Sequence, residues 1–219
     1  MDKIVRRASH AGSWYSDNPQ KLSKELEGWL TTSGLPKSPE VRGVIAPHAG
    51  YSYSGRAAAY AFGNIDPSNI YSVKIVPILV GALSAEKEAF YGRLLAKYAN
   101  DPKNFFSVSS DFCHWGSRFN YTHYDKKHGA IYKSIEALDR MGMDIIETGD
   151  PDSFKKYLKE FDNTICGRHP ISVFLHMLKN CSADIKINFL RYEQSSQCKS
   201  TRDSSVSYAS AAAKIAGKA

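Results

Sequence analysis

The sequence predicts an α/β fold with a layered, mixed sheet flanked by helices. First, apolar runs typical of strands alternate along the chain with segments whose apolar residues have helical spacing. Second, the run Val73–Val80 is apolar throughout most of its length, as expected for a strand buried on both faces. Third, 219 residues with 42% hydrophobic and 23% charged content suit one globular domain, 1–219, with its own core.

Three elements are predicted before that apolar run. Asp17-Asn18-Pro19 is a typical helix start and Gly34 a typical helix stop, so we expect a helix between them. Val41–Ala46 is predicted to form a short strand, and Gly55–Phe62 a small Ala-rich helix.

The remaining elements continue the same alternation. Helices are predicted from apolar residues at helical spacing, and strands from short apolar or alternating runs. In chain order, the predictions are a helix at Ser84–Ala99 with Phe90, Leu94, Leu95 and Tyr98 on one face, a strand at Phe105–Ser109, a helix at Asp125–Met141, helices starting at Pro151 and Pro170, a strand around Ile185–Phe189 and a strand around Ser205–Ala209.

Composition and charge exclude several classes of function. The net charge is +7, but the basic residues are scattered and no nucleic-acid-binding motif is present, so we expect no nucleic-acid partner. The longest apolar run is too short to span a bilayer. The four cysteines form no CxxC pair, and the first residues carry no apolar signal segment. We therefore expect free thiols and a cytoplasmic protein, with the nucleus as a second location.

Two histidines follow predicted strands, at the position where open α/β sheets bind ligands. His48 follows the first predicted strand, and His114 follows the strand that ends at Ser109. A single histidine is more often structural than functional, but two in equivalent positions favour a shared site. Asp111 is a candidate to orient His114, with a plain turn-capping role as the alternative.

Cys166 precedes the helix that starts at Pro170, and a thiol near a helix N-terminus has a lowered pKa. It is therefore a candidate metal ligand or nucleophile, with a small buried apolar residue as the alternative. Arg168 and His169 share its loop and are candidates to bind an anion. Near the start of the chain, Trp14 is a candidate wall of a cleft or an ordinary core residue.

Eight segments cover nearly the whole chain in order, and several are long and unusual. The segments are ASHAGSWY, ELEGWL, IAPHAGYSYSG, PILVGALS, VSSDFCHWGSRF, LDRMGM, NTICGRHPI and QSSQC. Together they resemble the Memo family, which is named for mediating cell motility driven by a receptor tyrosine kinase. The resemblance implies a fold similar to the class III extradiol dioxygenases, non-haem iron enzymes that cleave catechol rings.

The resemblance also implies roles for individual residues. His48 and His114 match cleft histidines, and Cys166 stands where the dioxygenases place a carboxylate ligand, so these three are the implied metal ligands. The residues implied to bind a ligand are Trp14, Tyr53, Asp111, His114, Arg118 and Arg168. No residue is assigned a catalytic role.

Cofactors and partners are implied by the same resemblance. The implied metals are copper or iron, with zinc ranked below them. The implied partners are phosphotyrosine peptides of receptor tyrosine kinases or their adaptors, and beyond them small GTPases or cytoskeletal signalling proteins. The implied processes are cell motility, redox signalling and the handling of copper or iron.

The chain departs from the family near residues 72–73. Memo proteins carry several dozen further residues there, including a GPSHH motif that supplies another cleft histidine and at least one central strand. Without that histidine, a 2-His-1-carboxylate facial triad lacks one of its three ligands. Thiolate and imidazole together suit copper(I) or zinc better than non-haem iron(II).

Four hypotheses follow from the sequence. The first, and the one we favour, is a signalling adaptor that binds phosphotyrosine peptides through Arg118, Arg168 and His114. The second is a metal-dependent redox or oxygenase-type enzyme that uses the cleft His/Cys constellation. The third is a nucleophile at Cys166, activated by His114 or His169. The fourth is a shortened isoform without activity of its own.

Overall fold

A mixed five-stranded sheet flanked by helices forms the described part of the computed structural model, residues 7–67 and 74–216, which confirms the predicted fold class. The helices are α1 (Pro19–Ser33), α2 (Tyr51–Phe62), α3 (Ala85–Ala99), α4 (Ile131–Glu147), α5 (Pro151–Phe161) and α6 (Arg168–Asn180). The strands are β1 (Val41–Ala46), β2 (Phe106–Ser109), β3 (His114–Trp115), β4 (Ile185–Gln194) and β5 (Ser205–Ile215). Within these residues, no helix has the length and apolar character needed to cross a bilayer.

The sheet places the ends of β1 and β2 side by side. These two strands pair in parallel, with Gly43 opposite Phe106 and Ala46 opposite Ser109. Strand β5 pairs antiparallel with β1 on one side and with β4 along most of its length, and its first two residues pair with β3. Because parallel strands end at the same edge, the residues that follow Ala46 and Ser109 emerge together.

Local signals place the first helix and strand where the sequence predicts them. The Asn18 side chain accepts a hydrogen bond from the Lys21 N–H at 2.9 Å and so caps α1. Gly34 ends the helix in the left-handed region, at φ 61°, which a residue with a Cβ rarely adopts. Strand β1 has the predicted bounds, and β2 begins one residue after the predicted start.

The predicted strand Val73–Val80 is wrong for residues 74–80, and Val73 lies outside the described residues. Residues 74–80 form no regular secondary structure, and Ile75 and Leu79 are 84% and 101% exposed. A strand buried on both faces needs neighbours in a sheet. Among the described strands β2 pairs only with β1, so no strand holds this apolar run in the sheet.

Helix α3 exposes most of the apolar face that the sequence predicts for it. Phe90, Leu94 and Tyr98 are about half exposed, whereas Leu95 packs against the core cluster. The helix packs on α6 through small residues. At Gly92 a Cβ would lie 2.3 Å from the His176 Cβ, so this position tolerates only glycine at the observed helix separation. Close packing of the two backbones therefore decides which face is buried.

Other element bounds shift by a few residues. Helix α2 begins at Tyr51 rather than Gly55, and α6 begins at Arg168, two residues before Pro170. Helix α4 begins at Ile131, because Asp125 caps a separate 3₁₀ turn by accepting from the Lys127 N–H. The largest core cluster lies between the sheet and α4, α5 and α6; its fully buried large side chains include Phe112, Trp115, Ile135, Ile146, Phe154, Ile165, Ile171, Leu175 and Met177.

Candidate functional site

His48 and Asp111 meet at the edge where β1 and β2 end. The backbone N–H of His48 donates to Asp111 Oδ1 at 2.8 Å, and the second carboxylate oxygen lies 3.9 Å from His48 Nε2. Asp111 is buried, whereas the His48 side chain is 44% exposed. The sequence predicts that Asp111 orients His114, but the structure shows that Asp111 positions His48 instead.

The loop between α5 and α6 brings Cys166 to the same place. Asp111 and Cys166 are joined by three contacts: the Cys166 N–H donates to the Asp111 carbonyl at 3.3 Å, the Asp111 N–H donates to Cys166 Sγ at 3.1 Å, and that sulfur lies 3.5 Å from the Asp111 carbonyl. Cys166 Sγ also lies 3.1 Å from His48 Nε2. His48, Asp111 and Cys166 thus form one cluster, which we call the thiol cluster.

The thiol of Cys166 is held in its protonated form. Burial raises the pKa of this thiol, and the hydrogen bond from the Asp111 N–H only partly offsets that effect. The lowered pKa that the sequence predicts from the nearby helix start is therefore wrong. Cys166 Sγ lies 3.1 Å from His48 Nε2, and His48 Nδ1 lies 2.6 Å from Ser109 Oγ. One continuous chain of polar contacts therefore links Ser109, His48 and Cys166.

His114 occupies a different environment from the thiol cluster. Its Nδ1 lies 2.9 Å from the Phe112 carbonyl and 3.1 Å from the Thr164 carbonyl, so this nitrogen carries a proton that it donates to them. Its ring packs edge-on against Phe119 at 5.2 Å, and the Arg118 guanidinium lies 4.5 Å from the same Phe119 ring. His114, Arg118 and Phe119 therefore form a second cluster, which we call the aromatic cluster.

Trp14 and Tyr53 stand close to the thiol cluster. Both pack around Gly50, where a Cβ would lie 3.5 Å from the Trp14 carbonyl and 3.8 Å from Tyr53 Cδ2. The Trp14 carbonyl also accepts from the Tyr51 N–H at 2.8 Å. Trp14 and Tyr53 are both exposed and lie beside the loop that carries His48, and their role as walls of a cleft stays a prediction.

Arg168 lines a cavity of about 300 Å³ between the start of α3 and helices α5 and α6. Lys155 and Lys159 of α5 line it as well. His169 points to Glu88, whose carboxylate oxygen lies 2.6 Å from Nδ1, so His169 does not reach the Cys166 thiol. Neither His114 nor His169 contacts that thiol in the described part of the chain, and the imidazole that does is His48.

Several residues of the site carry no strong sequence signal. Ser109 and Thr164 hold the two histidines, and the segment Ser109–Asp111 at a strand end is a polar run that could have indicated them. Tyr208 is buried near Asp111; burial raises its pKa to about 12, and the negative charge of Asp111 adds to that shift. Tyr208 lies in a Ser/Ala-rich strand, where nothing in the pattern marks it.

Two of the three implied metal ligands lie next to each other, and the third stands apart. Within residues 7–67 and 74–216, no group of three or more His, Cys, Asp or Glu side chains is arranged to hold a metal ion. His48 Nε2 and Cys166 Sγ are adjacent donors, whereas His114 stands in the aromatic cluster. This set does not fit the facial triad of non-haem iron(II), but a soft sulfur–nitrogen pair fits copper(I).

One family profile and several related proteins match most of this chain. The sequence profile of a family described as Memo-like protein matches residues 6–72 and 69–212. Protein MEMO1 of Danio rerio is 41% identical over 289 aligned positions, which cover 95% of this chain and 97% of that protein. Protein MEMO1 of Homo sapiens is 40% identical with the same coverage. Protein memo-1 homolog of Caenorhabditis elegans is 34% identical, over 94% of this chain and 81% of that protein.

The alignments also show a difference in length between this chain and its relatives. They extend over 289 positions, more than the 219 residues of this chain, so the relatives contain a segment that this chain lacks. The family profile matches in two parts that meet at residues 69–72. The predicted break near residues 72–73 involves residues outside the described ones and stays a prediction.

Proposed function

This chain belongs to the Memo family, and we propose that it is a cytoplasmic signalling adaptor that binds phosphotyrosine peptides of receptor tyrosine kinases or their adaptors. The observation that carries the proposal is the cluster of cations around the cavity between α3, α5 and α6. Lys155, Lys159 and Arg168 line it, and none of the three forms an ion pair with another described residue. A phosphate dianion is stabilised by cations of this kind.

Glu88, an acidic residue that lines the cavity, is in contact with two side chains of α6. Glu88 accepts from Ser172 at 2.8 Å and lies 2.6 Å from His169. Its charge is therefore shared with two side chains of α6 and opposes an incoming phosphate less than a free carboxylate would. Asp162 also lines the cavity, and its negative charge offsets part of the positive charge of the lysines and the arginine.

A buried amide also lines the cavity. Asn163 is only 3% exposed. Its side-chain nitrogen donates to Asp139 and to Tyr157, while its side-chain oxygen has no hydrogen-bond partner among the described residues. That oxygen is itself shielded from solvent, so Asn163 shapes the cavity wall and the cations carry the proposed phosphate contact.

The aromatic cluster contacts the same segment that lines the cavity. Residues 162–169 contribute Asn163 and Arg168 to the cavity, while the Thr164 carbonyl accepts from His114. Arg118 and Phe119 extend this second surface. We propose that the phosphate enters the cavity and that the flanking peptide lies over the aromatic cluster, which keeps the predicted roles of Arg118, Arg168 and His114.

Binding of a fluorescently labelled phosphotyrosine peptide tests these roles. Arg168→Ala should weaken binding by about tenfold or more, since a charged hydrogen bond to phosphate is worth about 1.5–3 kcal/mol. Lys155→Ala with Lys159→Ala should weaken it further, and Arg118→Ala less. Lys24→Ala, on the exposed surface of α1, is the matched control. Equal affinity of all variants would contradict the proposed site.

A second candidate function rests on the 3.1 Å contact between His48 Nε2 and Cys166 Sγ. These two atoms would hold copper(I), and the metal would supply redox chemistry next to the walls formed by Trp14 and Tyr53. Copper(I) titration of the purified chain should then give one equivalent bound. Cys166→Ser and His48→Ala should each remove it, whereas Cys181→Ser should not. Unchanged copper content in Cys166→Ser would exclude this site.

The shortened chain must fold if either function is to operate. The expected result is one cooperative thermal transition, because the described core is continuous through the sheet and α4, α5 and α6. Absence of a cooperative transition would support the fourth hypothesis, an isoform without activity. The roles of small GTPases and cytoskeletal proteins as downstream partners are proposed on family membership alone.

A further inference from the structure

An arginine pair precedes a serine near the start of the chain. Arg6 and Arg7 are the only adjacent arginines in the sequence, and Ser9 follows after one alanine. Of all the serines and threonines in the chain, only Ser9 therefore has arginine at both the second and the third position before it. The structure describes Arg7 and Ser9, whereas Arg6 lies outside the described residues.

Ser9 and Arg7 are accessible on the surface of the folded chain. Residues 7–14 are all exposed, and they lie before α1, outside the helices and strands of the fold. Among the residues that the structure describes, none forms a hydrogen bond with the Ser9 hydroxyl and none forms an ion pair with the Arg7 guanidinium. Both polar groups are therefore available to another protein.

The hydrogen bonds that residues 7–9 make with the described part of the chain are local. The Ser9 N–H donates to the Arg7 carbonyl at 3.0 Å, and the Ala11 N–H donates to the Ala8 carbonyl at 3.3 Å. Neither bond joins the segment to the sheet or to a helix. Residues 7–9 can therefore extend into a groove of another protein while the domain stays folded, since exposed segments with few bonds open at little cost in free energy.

We propose that Ser9 is a phosphorylation site for a serine/threonine kinase that recognises arginines before its acceptor. In the reaction, Ser9 Oγ attacks the γ-phosphorus of ATP and forms a new P–O bond. The bond between that phosphorus and the oxygen that bridges to the β-phosphate breaks, and ADP leaves. The hydroxyl proton passes to the carboxylate base of the kinase.

The two arginines define the class of kinase. A guanidinium presents its N–H groups in a planar fork that pairs with carboxylates, so the matching kinase carries acidic residues where it binds these two positions. Charge patterns of this kind separate the substrates of one kinase from those of another. Ser204 is an internal comparison, because it is partly buried and has Arg202 two positions before it but Thr201 at the third. We expect Ser204 to stay unmodified.

Phosphate transfer to the folded 219-residue chain tests the proposal. The probe is the purified catalytic domain of an arginine-directed serine/threonine kinase with ATP, and mass spectrometry of the digested chain locates the phosphate. We expect a single phosphate, on Ser9, and none in Ser9→Ala. A synthetic peptide of residues 5–13 is the reference for an unhindered site. The folded chain should be modified within about tenfold of the rate of this peptide, because its acceptor is exposed.

Variants of the arginine test how the kinase recognises this segment. Arg7→Ala should lower kcat/KM for phosphorylation by about tenfold or more, and Arg7→Lys by less, because lysine keeps the charge but not the fork. Arg202→Ala, at an exposed arginine between β4 and β5, is the matched control and should leave the rate unchanged. Thermal unfolding of each variant verifies that it is folded.

Several results would overturn the proposal. One is a folded chain that takes up no phosphate, or does so more than about tenfold more slowly than the peptide, from a kinase that modifies the peptide. Another is phosphate on a different residue while Ser9 stays unmodified. A rate at Ser9 that is indifferent to Arg7→Ala overturns the proposal equally.

Discussion

His48 Nε2 lies 3.1 Å from Cys166 Sγ, although 118 residues separate the two in the chain. Two independent features of the fold produce this contact. Parallel pairing of β1 with β2 brings His48 to Asp111, and the loop before α6 hydrogen-bonds to Asp111 through both its N–H and its sulfur. Asp111 therefore joins the two sides of the thiol cluster.

Cys166 should react slowly with alkylating agents at neutral pH. Burial raises the pKa of its thiol, and only the thiolate attacks such reagents. Mass spectrometry of the peptide that contains Cys166, after iodoacetamide treatment across a pH series, gives the rate. The same cysteine in the urea-unfolded chain is the control and should react faster at pH 7. Faster reaction in the folded chain would mean that the thiol is activated.

Asp139 should make the folded state less stable as the pH rises through weakly acidic values. Burial raises the pKa of this carboxyl from 3.8 to about 6. Hydrogen bonds from Ser207, Asn163 and Tyr192 favour the charged form and offset part of this rise. Between about pH 4 and pH 6 the folded chain holds a proton that the unfolded chain has lost. Stability from this group is therefore full below pH 4 and falls by about 3 kcal/mol by pH 6.

Asp139→Asn should remove that pH dependence. The amide keeps an oxygen to accept from the Cys113 N–H, which donates to Asp139 at 3.2 Å, and Tyr192 can accept from the new NH₂ group. Urea unfolding at a series of pH values measures the effect, with the exposed Asp184→Asn as control. An unchanged fall in stability between pH 4 and pH 6 would assign the effect to another group.

Gly92→Ala should destabilise the chain by about 1–3 kcal/mol, because the new methyl group overlaps His176 and forces α3 away from α6. Gly28→Ala is the matched control. Gly28 lies in α1, and a Cβ added there would have nothing within 4 Å, so alanine should stabilise the helix by up to about 1 kcal/mol. Urea unfolding should give changes of opposite sign, and equal changes would show that α3 and α6 are not in close contact.

Asp150→Ala should lower stability by about 1 kcal/mol at neutral pH through loss of the cap of α5. The Asp150 carboxylate accepts from the Ser153 hydroxyl at 2.6 Å and from the Asp152 and Ser153 N–H groups. These hydrogen bonds lower the pKa of Asp150, and the one from the Ser153 hydroxyl has the largest effect. The stability that Asp150 contributes is therefore present above the usual carboxyl pKa and is lost as the pH falls. Thermal unfolding of parent and variant should converge in acid; a constant difference would show that the cap does not depend on charge.

Local signals explain which elements the sequence predicts well. The Asn18 cap and the Gly34 stop act within a few residues, so α1 can be placed without knowledge of the rest of the chain. The same holds for α5, where Asp150 caps and Pro151 starts the helix as predicted.

Long-range packing explains what the sequence does not reveal. The imidazole next to Cys166 is His48 because β1 pairs with β2, a pairing that no local pattern specifies. The burial of Gly92 rather than Leu94 depends on the close approach of α6. The exposure of residues 74–80 depends on the absence of a neighbouring strand among the described elements.

The most direct test of adaptor function compares one peptide with and without its phosphate. Fluorescence anisotropy of the two labelled forms should show binding of the phosphotyrosine form at least about tenfold tighter, since the phosphate would meet the cations of Lys155, Lys159 and Arg168. Free phosphotyrosine should compete, and the affinity should fall as salt rises. Equal affinity for the two forms, or no competition by phosphotyrosine, would contradict the proposed function.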